Sequence, residues 1–339
     1  MPGLTWDLYC RVIDNLGDAG VCWRLAAQLG ALGHRVRLVI DDAAPLAHLA
    51  PRGAPGVQVL AWPGPATAGD VVIEAFGCDP PEATVAAMAA RARPPVWINL
   101  EYLSAEDWVE RSHGLPSPQR NGLTKWFFFP GFTARTGGLL REPGLQAQRE
   151  AFDRDAWLQQ RGLQRTPGER VVTLFCYANP ALPALLAELS ASPTLLLLPQ
   201  GWPQRLVSSA PAGVRLAPLP WLEQPDFDHL LWAADLNFVR GEDSLVRAVW
   251  AGAPFVWQAY PQDDGVHAAK VDALLVRLQA PPEVRAAWQH WNGLAGAAPL
   301  TTLPATPFHA FRARLLAQDD LARQLLAFVE TRNGTHPAC

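Results

Sequence analysis

Short apolar runs alternate along this chain with stretches of helical period. Residues 6–13 (WDLYCRVI), 35–40 (RVRLVI), 57–61, 70–74 and 96–100 have the apolar, β-branched character of strands. Residues 19–32 place Val21, Leu25 and Leu29 on one helical stripe, and 82–93 fits a second helix. A looser, Gln- and Arg-rich segment at 141–167, containing Pro143 and Pro167, interrupts the rhythm. Beyond it come strands at 171–177, 194–198, 234–239 and 254–257, with helices at 181–190, 225–233 and 243–251. The tail, 307–331, has an amphipathic helical pattern. Such alternation implies parallel sheets covered on both faces. The chain therefore reads as α/β, two Rossmann-like domains with a cleft between them. The expected divisions are 1–150, 151–306 and a closing helical segment, 307–339, set against the first domain.

Composition narrows the class. A chain of 339 residues with 49% hydrophobic and 18% charged residues has enough apolar mass for two cores and excludes disorder. Its net charge is −4, and Lys125 and Lys270 are the only lysines. No basic block could track a phosphate backbone, which argues against nucleic acid as a partner. Cys10, Cys22, Cys78, Cys176 and Cys339 are widely spaced, odd in number and without a C-x-x-C pair. They read as free thiols in a reducing cytoplasm. The sequence begins with no basic-then-apolar leader, and the purest apolar run, 195–198, is far too short to span a bilayer. The expectation is a cytoplasmic protein with no membrane association.

In doubly wound sheets, ligands sit at the carboxyl ends of strands, where loops lead into helices. Two such junctions carry candidate chemistry. At 14–21 (DNLGDAGV), Asp14 and Asp18 flank a glycine-containing turn, their carboxylates within roughly 6–13 Å of each other. The turn lacks the G-x-G-x-x-G dinucleotide pattern. Asp18 serves equally well as an N-cap for a helix starting near Ala19, and Asp14 as a partner for its own turn. At 238–244 (FVRGEDS), Gly241 turns the chain and Ser244 opens a helix, the arrangement of a diphosphate seat. Glu242 and Asp243 bring negative charge there, suited to sugar hydroxyls or to acid–base work; Asp243 or Ser244 could instead be a simple cap.

Other candidates are less specific. Phe175, Tyr177 and Trp221 near the ligand edge of the second half suit either base stacking or the core. Asp226-Phe227-Asp228 matches the D-x-D of metal-dependent sugar-nucleotide enzymes, yet it follows Pro225 at a helix start, where acids favour the dipole, and no further ligands lie nearby. His113 and His267 are expected in polar loops without metal spacing, and neither G-x-S-x-G nor a Walker A loop is present. The aromatic run at 126–129 (WFFF) reads as a buried strand or part of a protein-binding wall.

Longer strings go further. WDLYCRVIDNLGDAGVCWRLA at 6–26, INLEYLSAEDW at 98–108, FFFPGFT at 127–133 and GGLLRE at 137–142 resemble the EarP family, the protein-arginine rhamnosyltransferases of bacterial elongation factor P. So do LFCYANPAL at 174–182, LLWAADLNFVRGEDS at 230–244 and WAGAPFVWQAYPQ at 250–262. The resemblance covers nearly the whole chain in order. It implies a GT-B fold, two facing Rossmann-like domains with no required metal or other cofactor. It implies inverting transfer of L-rhamnose from TDP-β-L-rhamnose to a loop-tip arginine of elongation factor P, a modification that relieves ribosome stalling at polyproline. The first domain would then face the acceptor protein and the second would bind the nucleotide sugar.

Carried over by position, the general base falls on Asp18, its companion on Asp14 and the functional glutamate on Glu242. The nucleotide-sugar contacts fall on Phe175, Tyr177, Gln224, Arg240, Glu242, Asp243, Ser244 and Tyr260, and Trp221 stands where a relative has a thymine-stacking phenylalanine. The chain is short for that family, with trimming near 143–170 and 281–306. Two rivals share the architecture: a GT-B enzyme with a small-molecule or lipid acceptor, and a non-catalytic binder of elongation factor P.

Overall fold

The computed structural model describes residues 3–14, 16–261 and 265–333. Asn15, Gln262 and Cys339, which belong to the motifs and the cysteine set above, lie outside the described residues. The chain divides into two compact units, one made of Met1–Pro143 with Gln318–Cys339 and the other of Gly144–Ala317.

The first unit runs β1 (Thr5–Cys10), α1 (Gly17–Ala31), β2 (Arg35–Ile40), α2 (Leu46–Leu49), β3 (Val57–Ala61), β4 (Val71–Ala75), α3 (Glu82–Ala89), β5 (Val96–Leu100), α4 (Trp108–Ser112), β6 (Pro116–Pro118) and β7 (Thr124–Phe128). Its seven strands lie in the order β3-β2-β1-β4-β5-β7-β6, and only β6 is antiparallel to its neighbour. Leu8 sits at the centre, in register with Leu38 of β2 and Ile73 of β4. One face of this sheet buries Trp6, Leu8, Leu38, Ile73 and Ile98 against Leu25 and Leu29 of α1. Alternate residues point the other way, where Tyr9, Val39, Val72 and Trp97 pack with Met88 of α3.

The second unit runs α5 (Leu145–Glu150), α6 (Arg154–Gln159), β8 (Arg170–Leu174), α7 (Leu182–Leu189), β9 (Thr194–Leu198), α8 (Trp202–Leu206), β10 (Val214–Pro218), α9 (Gln224–Ala233), β11 (Leu236–Arg240), α10 (Glu242–Ala251), β12 (Phe255–Gln258), α11 (Val266–Leu278), α12 (Pro282–Trp291) and α13 (Thr306–Leu316). Its five strands are all parallel, in the order β10-β9-β8-β11-β12. The chain then returns to the first unit as α14 (Leu321–Asn333), whose Leu321, Leu325 and Val329 join the first core. No described helix is long and apolar enough to cross a membrane.

The structure departs from the sequence expectations where side chains redirect the backbone. The first division falls at Pro143/Gly144, not after residue 150. The reason is that α5 belongs to the second unit, where Arg149 Nε donates to the Ala251 carbonyl. The tail is two helices in two units, not one segment from 307. Asp320 breaks its period by accepting the N–H groups of Ala322 and Arg323, which makes it the N-cap of α14. Strands expected over 6–13 and 171–177 stop at Cys10 and Leu174. Beyond those ends the backbone binds side chains instead of the ladder: Val12 N–H donates to Asp41, and Tyr177 N–H to Gln258. His267 lies in α11, not in a loop.

Candidate active site

In the first unit the chemistry collects at the carboxyl end of β1. The chain leaves the sheet after Cys10, turns through Asp14, and enters α1 at Gly17. The Asp14 carbonyl accepts N–H from Gly17 at 2.7 Å and from Asp18 at 3.2 Å. The Asp18 carboxylate reaches backward, its Oδ2 accepting N–H from Ile13 and from Asp14, both at 2.9 Å. Asp18 is therefore not the N-cap its position suggests. The cap residue is Leu16, which makes no side-chain cap bond. Asp18 closes its own turn and is 3% exposed. A Cβ at Gly17 would lie 2.8 Å from Asp14 Oδ2, so only glycine lets the exposed Asp14 carboxylate fold over the turn.

Burial pushes the Asp18 carboxyl above its usual pKa. The neighbouring Asp14 charge adds to this, while the two N–H bonds and a hydrogen bond with Tyr102 pull against it. Tyr102 follows β5 and stacks on Phe76 at 4.3 Å and 11° between planes. Phe76 holds φ 58, in the left-handed region, where a bulky side chain is strained. Beside it, Glu101 accepts from Asn99 Nδ2 at 2.7 Å, and burial raises its carboxyl pKa too. Phe76, Glu101 and Tyr102 carried no assigned role in the sequence reading. Their one signal is an acid–aromatic pair directly after an apolar strand.

In the second unit the loops after β8, β10, β11 and β12 supply the candidates. Arg240 ends β11, its guanidinium carbon 4.6 Å from the Phe175 ring centroid and 4.2 Å from that of Tyr177. Tyr260, after β12, meets Tyr177 edge-on at 5.4 Å. Among the described residues, Arg240 has no carboxylate partner, and its buried Nε has no hydrogen-bond acceptor. Gly241 caps α10 with φ 70 and ψ −178, a conformation essentially reserved for glycine. The Trp257 indole N–H, donating to the Gly241 carbonyl at 2.9 Å, pins that turn. Helix α10 starts at Glu242, so Ser244 sits inside its first turn instead of opening it. The Ser244 hydroxyl donates to the Arg240 carbonyl, and must rotate to serve a phosphate.

Phe175, Tyr177, Arg240, Glu242, Asp243, Ser244 and Tyr260 thus share one edge of one sheet. Gln224 is buried at the start of α9, and Trp221 stands exposed just before it. Phe175 also packs edge-on against Phe227 at 5.3 Å. Trp257 and Gln258, which brace Gly241 and Tyr177, were missed because both look like ordinary strand residues.

The remaining candidates are structural. Asp228 forms a buried two-point ion pair with Arg247, at 2.8 and 2.6 Å, and Asp226 pairs with Arg161 at 2.7 Å. Those arginines occupy the oxygens a metal would need. No group of three or more His, Cys, Asp or Glu suited to a metal ion occurs among the described residues. His113 accepts the Phe129 N–H through Nδ1, and burial, helped by the Arg332 charge, lowers its pKa to about 4. It is a neutral, half-buried histidine. Of the aromatic run, residues 126–128 lie in β7, between β5 and β6.

Two Rossmann-like units with site residues at the carboxyl ends of their strands are the components of a GT-B glycosyltransferase. The calicheamicin glycosyltransferase CalG4 has this fold; it is 15% identical, and the match has a TM-score of 0.53 and covers 100% of both chains. Closer relatives carry the family. A model described as Elongation-Factor P (EF-P) rhamnosyltransferase EarP matches residues 6–330. The protein-arginine rhamnosyltransferase of Pseudomonas aeruginosa is 45% identical over 335 residues, covering 86% of this chain and 89% of the relative. That of Pseudomonas putida is 44% identical over 373 residues, covering 96% and 98%. A solved structure described as the structural basis for EarP-mediated arginine glycosylation of translation elongation factor EF-P is 32% identical, with a TM-score of 0.66 over 97% of this chain and 99% of that one. The chain belongs to the EarP family of rhamnosyltransferases.

Proposed function

We propose that this chain moves L-rhamnose from TDP-β-L-rhamnose to an arginine side chain of elongation factor P in the cytoplasm, inverting the anomeric carbon. Family membership supports the reaction class, and the enclosed Asp18 carboxylate is the observation that carries the reading. A guanidinium has a pKa above about 12, so stripping its proton beforehand near pH 7 costs roughly 7 kcal/mol. The proton leaves late, as the arginine nitrogen attacks the anomeric carbon and loses basicity. The nitrogen–carbon bond forms on one face of the sugar while the bond to the TDP oxygen breaks on the other. The proton passes to Asp18. Asp14 and Asp18 first orient the cation through charge-assisted hydrogen bonds.

The donor residues of this reading are those of the second unit. Arg240 lies unpaired among the described residues on Phe175 and Tyr177, and the start of α10 follows it directly. Together they take up the negative charge of departing TDP, with no step assigned to a metal. Tyr177, Tyr260, Trp221 and Gln224 border the thymidine, and Glu242 with Asp243 holds the sugar. Intact-protein mass spectrometry of elongation factor P, incubated with this chain and TDP-β-L-rhamnose, tests the proposal. One deoxyhexose mapped to an arginine supports it. Donor binding with no adduct points to another acceptor and overturns it.

A further inference from the structure

The second unit carries another pocket, at the sheet edge opposite Arg240 and Gly241. Its volume is about 560 Å³, and its walls include Arg149, Glu150, Arg154, Asp235, His309 and Arg312. β11 and β12 are parallel, and the bordering residues Asp235 and Pro254 precede those strands, whereas the donor loops follow them. A five-residue strand separates the two edges by about 17 Å. Helix α10 spans the same interval, with Glu242 at the donor end and Ala251 at the pocket.

Two arginines set the chemistry of this pocket. Arg149 Nε donates to the Ala251 carbonyl at 3.1 Å, and Arg312 Nε to the Trp250 carbonyl at 3.0 Å. Both carbonyls belong to the last turn of α10, so helix capping accounts for one N–H of each guanidinium. A guanidinium has five. Among the described residues the other N–H groups of Arg149 and Arg312 have no hydrogen-bond partner, and neither side chain forms an ion pair. Arg154, by contrast, is neutralised by Asp235 at 2.7 Å. The other titratable groups on the pocket are Glu150 and His309, both exposed.

The guanidiniums are partly buried and feel each other. Burial first, then the charges of Arg312 and Arg154, makes Arg149 a weaker base than usual; burial does the same to Arg312 against the pull of Glu150. Gly252, at φ 80, makes room for the second of them, since a Cβ there would lie 3.1 Å from Arg312 Cδ. One cation suffices for the end of a helix, and crowding two into the same site costs free energy that an anion would relieve.

We propose that this pocket binds a phosphate monoester, its phosphate dianion held between Arg149 of α5 and Arg312 of α13. Two planar forks arriving from different elements suit a group with several equivalent oxygens. The volume exceeds what phosphate alone requires and falls within the range of small-molecule sites, with Phe152 and Trp232 offering wall for the ester group. The inference is independent of the donor and acceptor assigned above.

Calorimetric titration of the full chain with phenyl phosphate tests it. The expected dissociation constant is about 1 mM or tighter. In an Arg240→Ala background, which disables the donor seat, phenyl phosphate should still bind, and adding Arg312→Gln should weaken that binding at least about tenfold. Because Arg312→Gln also removes a helix cap, Glu150→Gln is the second arm. It touches no cap, removes a facing negative charge, and should tighten binding severalfold. No binding up to about 10 mM, binding lost in the Arg240→Ala background, or an affinity indifferent to Glu150→Gln overturns the proposal.

Discussion

Asp18→Asn removes one charge and almost no volume. In the structure a single oxygen, Asp18 Oδ2, accepts both the Ile13 and the Asp14 N–H at 2.9 Å. An amide oxygen accepts the same two, so the turn into α1 survives. The proton acceptor does not. General-base catalysis typically contributes 10²–10⁴-fold, so rhamnosyl transfer should slow by about that factor, equivalent to roughly 3–5 kcal/mol of barrier. Donor affinity should hold within about 0.5 kcal/mol, because the residues proposed for the donor belong to the other unit. Stability moves the opposite way to activity. Burial raises the Asp18 pKa, so the folded protein holds this proton more tightly than the unfolded chain does. The group's contribution is greatest below the unfolded pKa, falls as pH climbs through the raised folded pKa, and leaves a cost at neutral pH. The asparagine variant escapes that cost and should melt higher at pH 7. The wild-type rate should rise with pH through the raised Asp18 pKa and then level, and the variant's residual rate should lack that limb. Single-turnover mass spectrometry across pH, beside thermal melts, reads all three. Transfer within about threefold of wild type, or lost activity together with a lowered melting temperature, refutes the base assignment.

Two further perturbations probe the second unit. Gly241→Ala adds a Cβ whose nearest neighbour is the Tyr177 hydroxyl at 3.9 Å, so its cost is backbone strain of about 1–3 kcal/mol and not collision. The melting temperature should fall and TDP should bind more weakly by calorimetry; unchanged values in both would show that this turn is not the donor seat. Asp228→Ala removes the two-point carboxylate partner of Arg247, 1% exposed, and should cost about 3–5 kcal/mol in urea unfolding, while Asp228→Leu with Arg247→Met recovers most of the loss. An equal loss in the double variant would mean that α9 and α10 need the ion pair itself.

The fold was largely legible because its elements are periodic. β2, β3, β5 and β9 fall on the residues their apolar runs mark, and α1 begins two residues before its expected start. What periodicity cannot report is which sheet an amphipathic segment covers. Hence α5 and α13 were assigned across the wrong division, although Arg149 and Arg312 fasten both to the end of α10. At the candidate sites, strand-to-helix junctions marked Asp14, Asp18 and the 240–244 turn, and the roles proposed for them came from the family resemblance of the longer strings. The backward reach of Asp18 was not legible, because a carboxylate beside a helix start reads locally as a cap. Nor was Tyr102: its bond to Asp18 and its stack on Phe76 join residues far apart in sequence.

The proposed function sets opposite chemistry at the same topological place in the two units. A helix start at the carboxyl edge of a parallel sheet is by default an anion seat, since its N–H groups and dipole point outward. In the first unit that seat is already filled. The N–H groups of Ile13 and Asp14 go to the Asp18 carboxylate, and those of Gly17 and Asp18 go to the Asp14 carbonyl. A phosphate arriving there meets two carboxylates, whereas a guanidinium meets charge complementarity. In the second unit the cap is Gly241, with no side chain to occupy the helix start, and the cation of Arg240 stands next to it. The first turn of α10 is acidic too, with Glu242 and Asp243, so the contrast lies in the Asp18 carboxylate folded back over its own turn on one side and the Arg240 cation beside a bare Gly241 cap on the other. The proposed function therefore sets the nucleotide sugar on the unit that has Gly241 and Arg240, and the arginine acceptor on the unit that has Asp18.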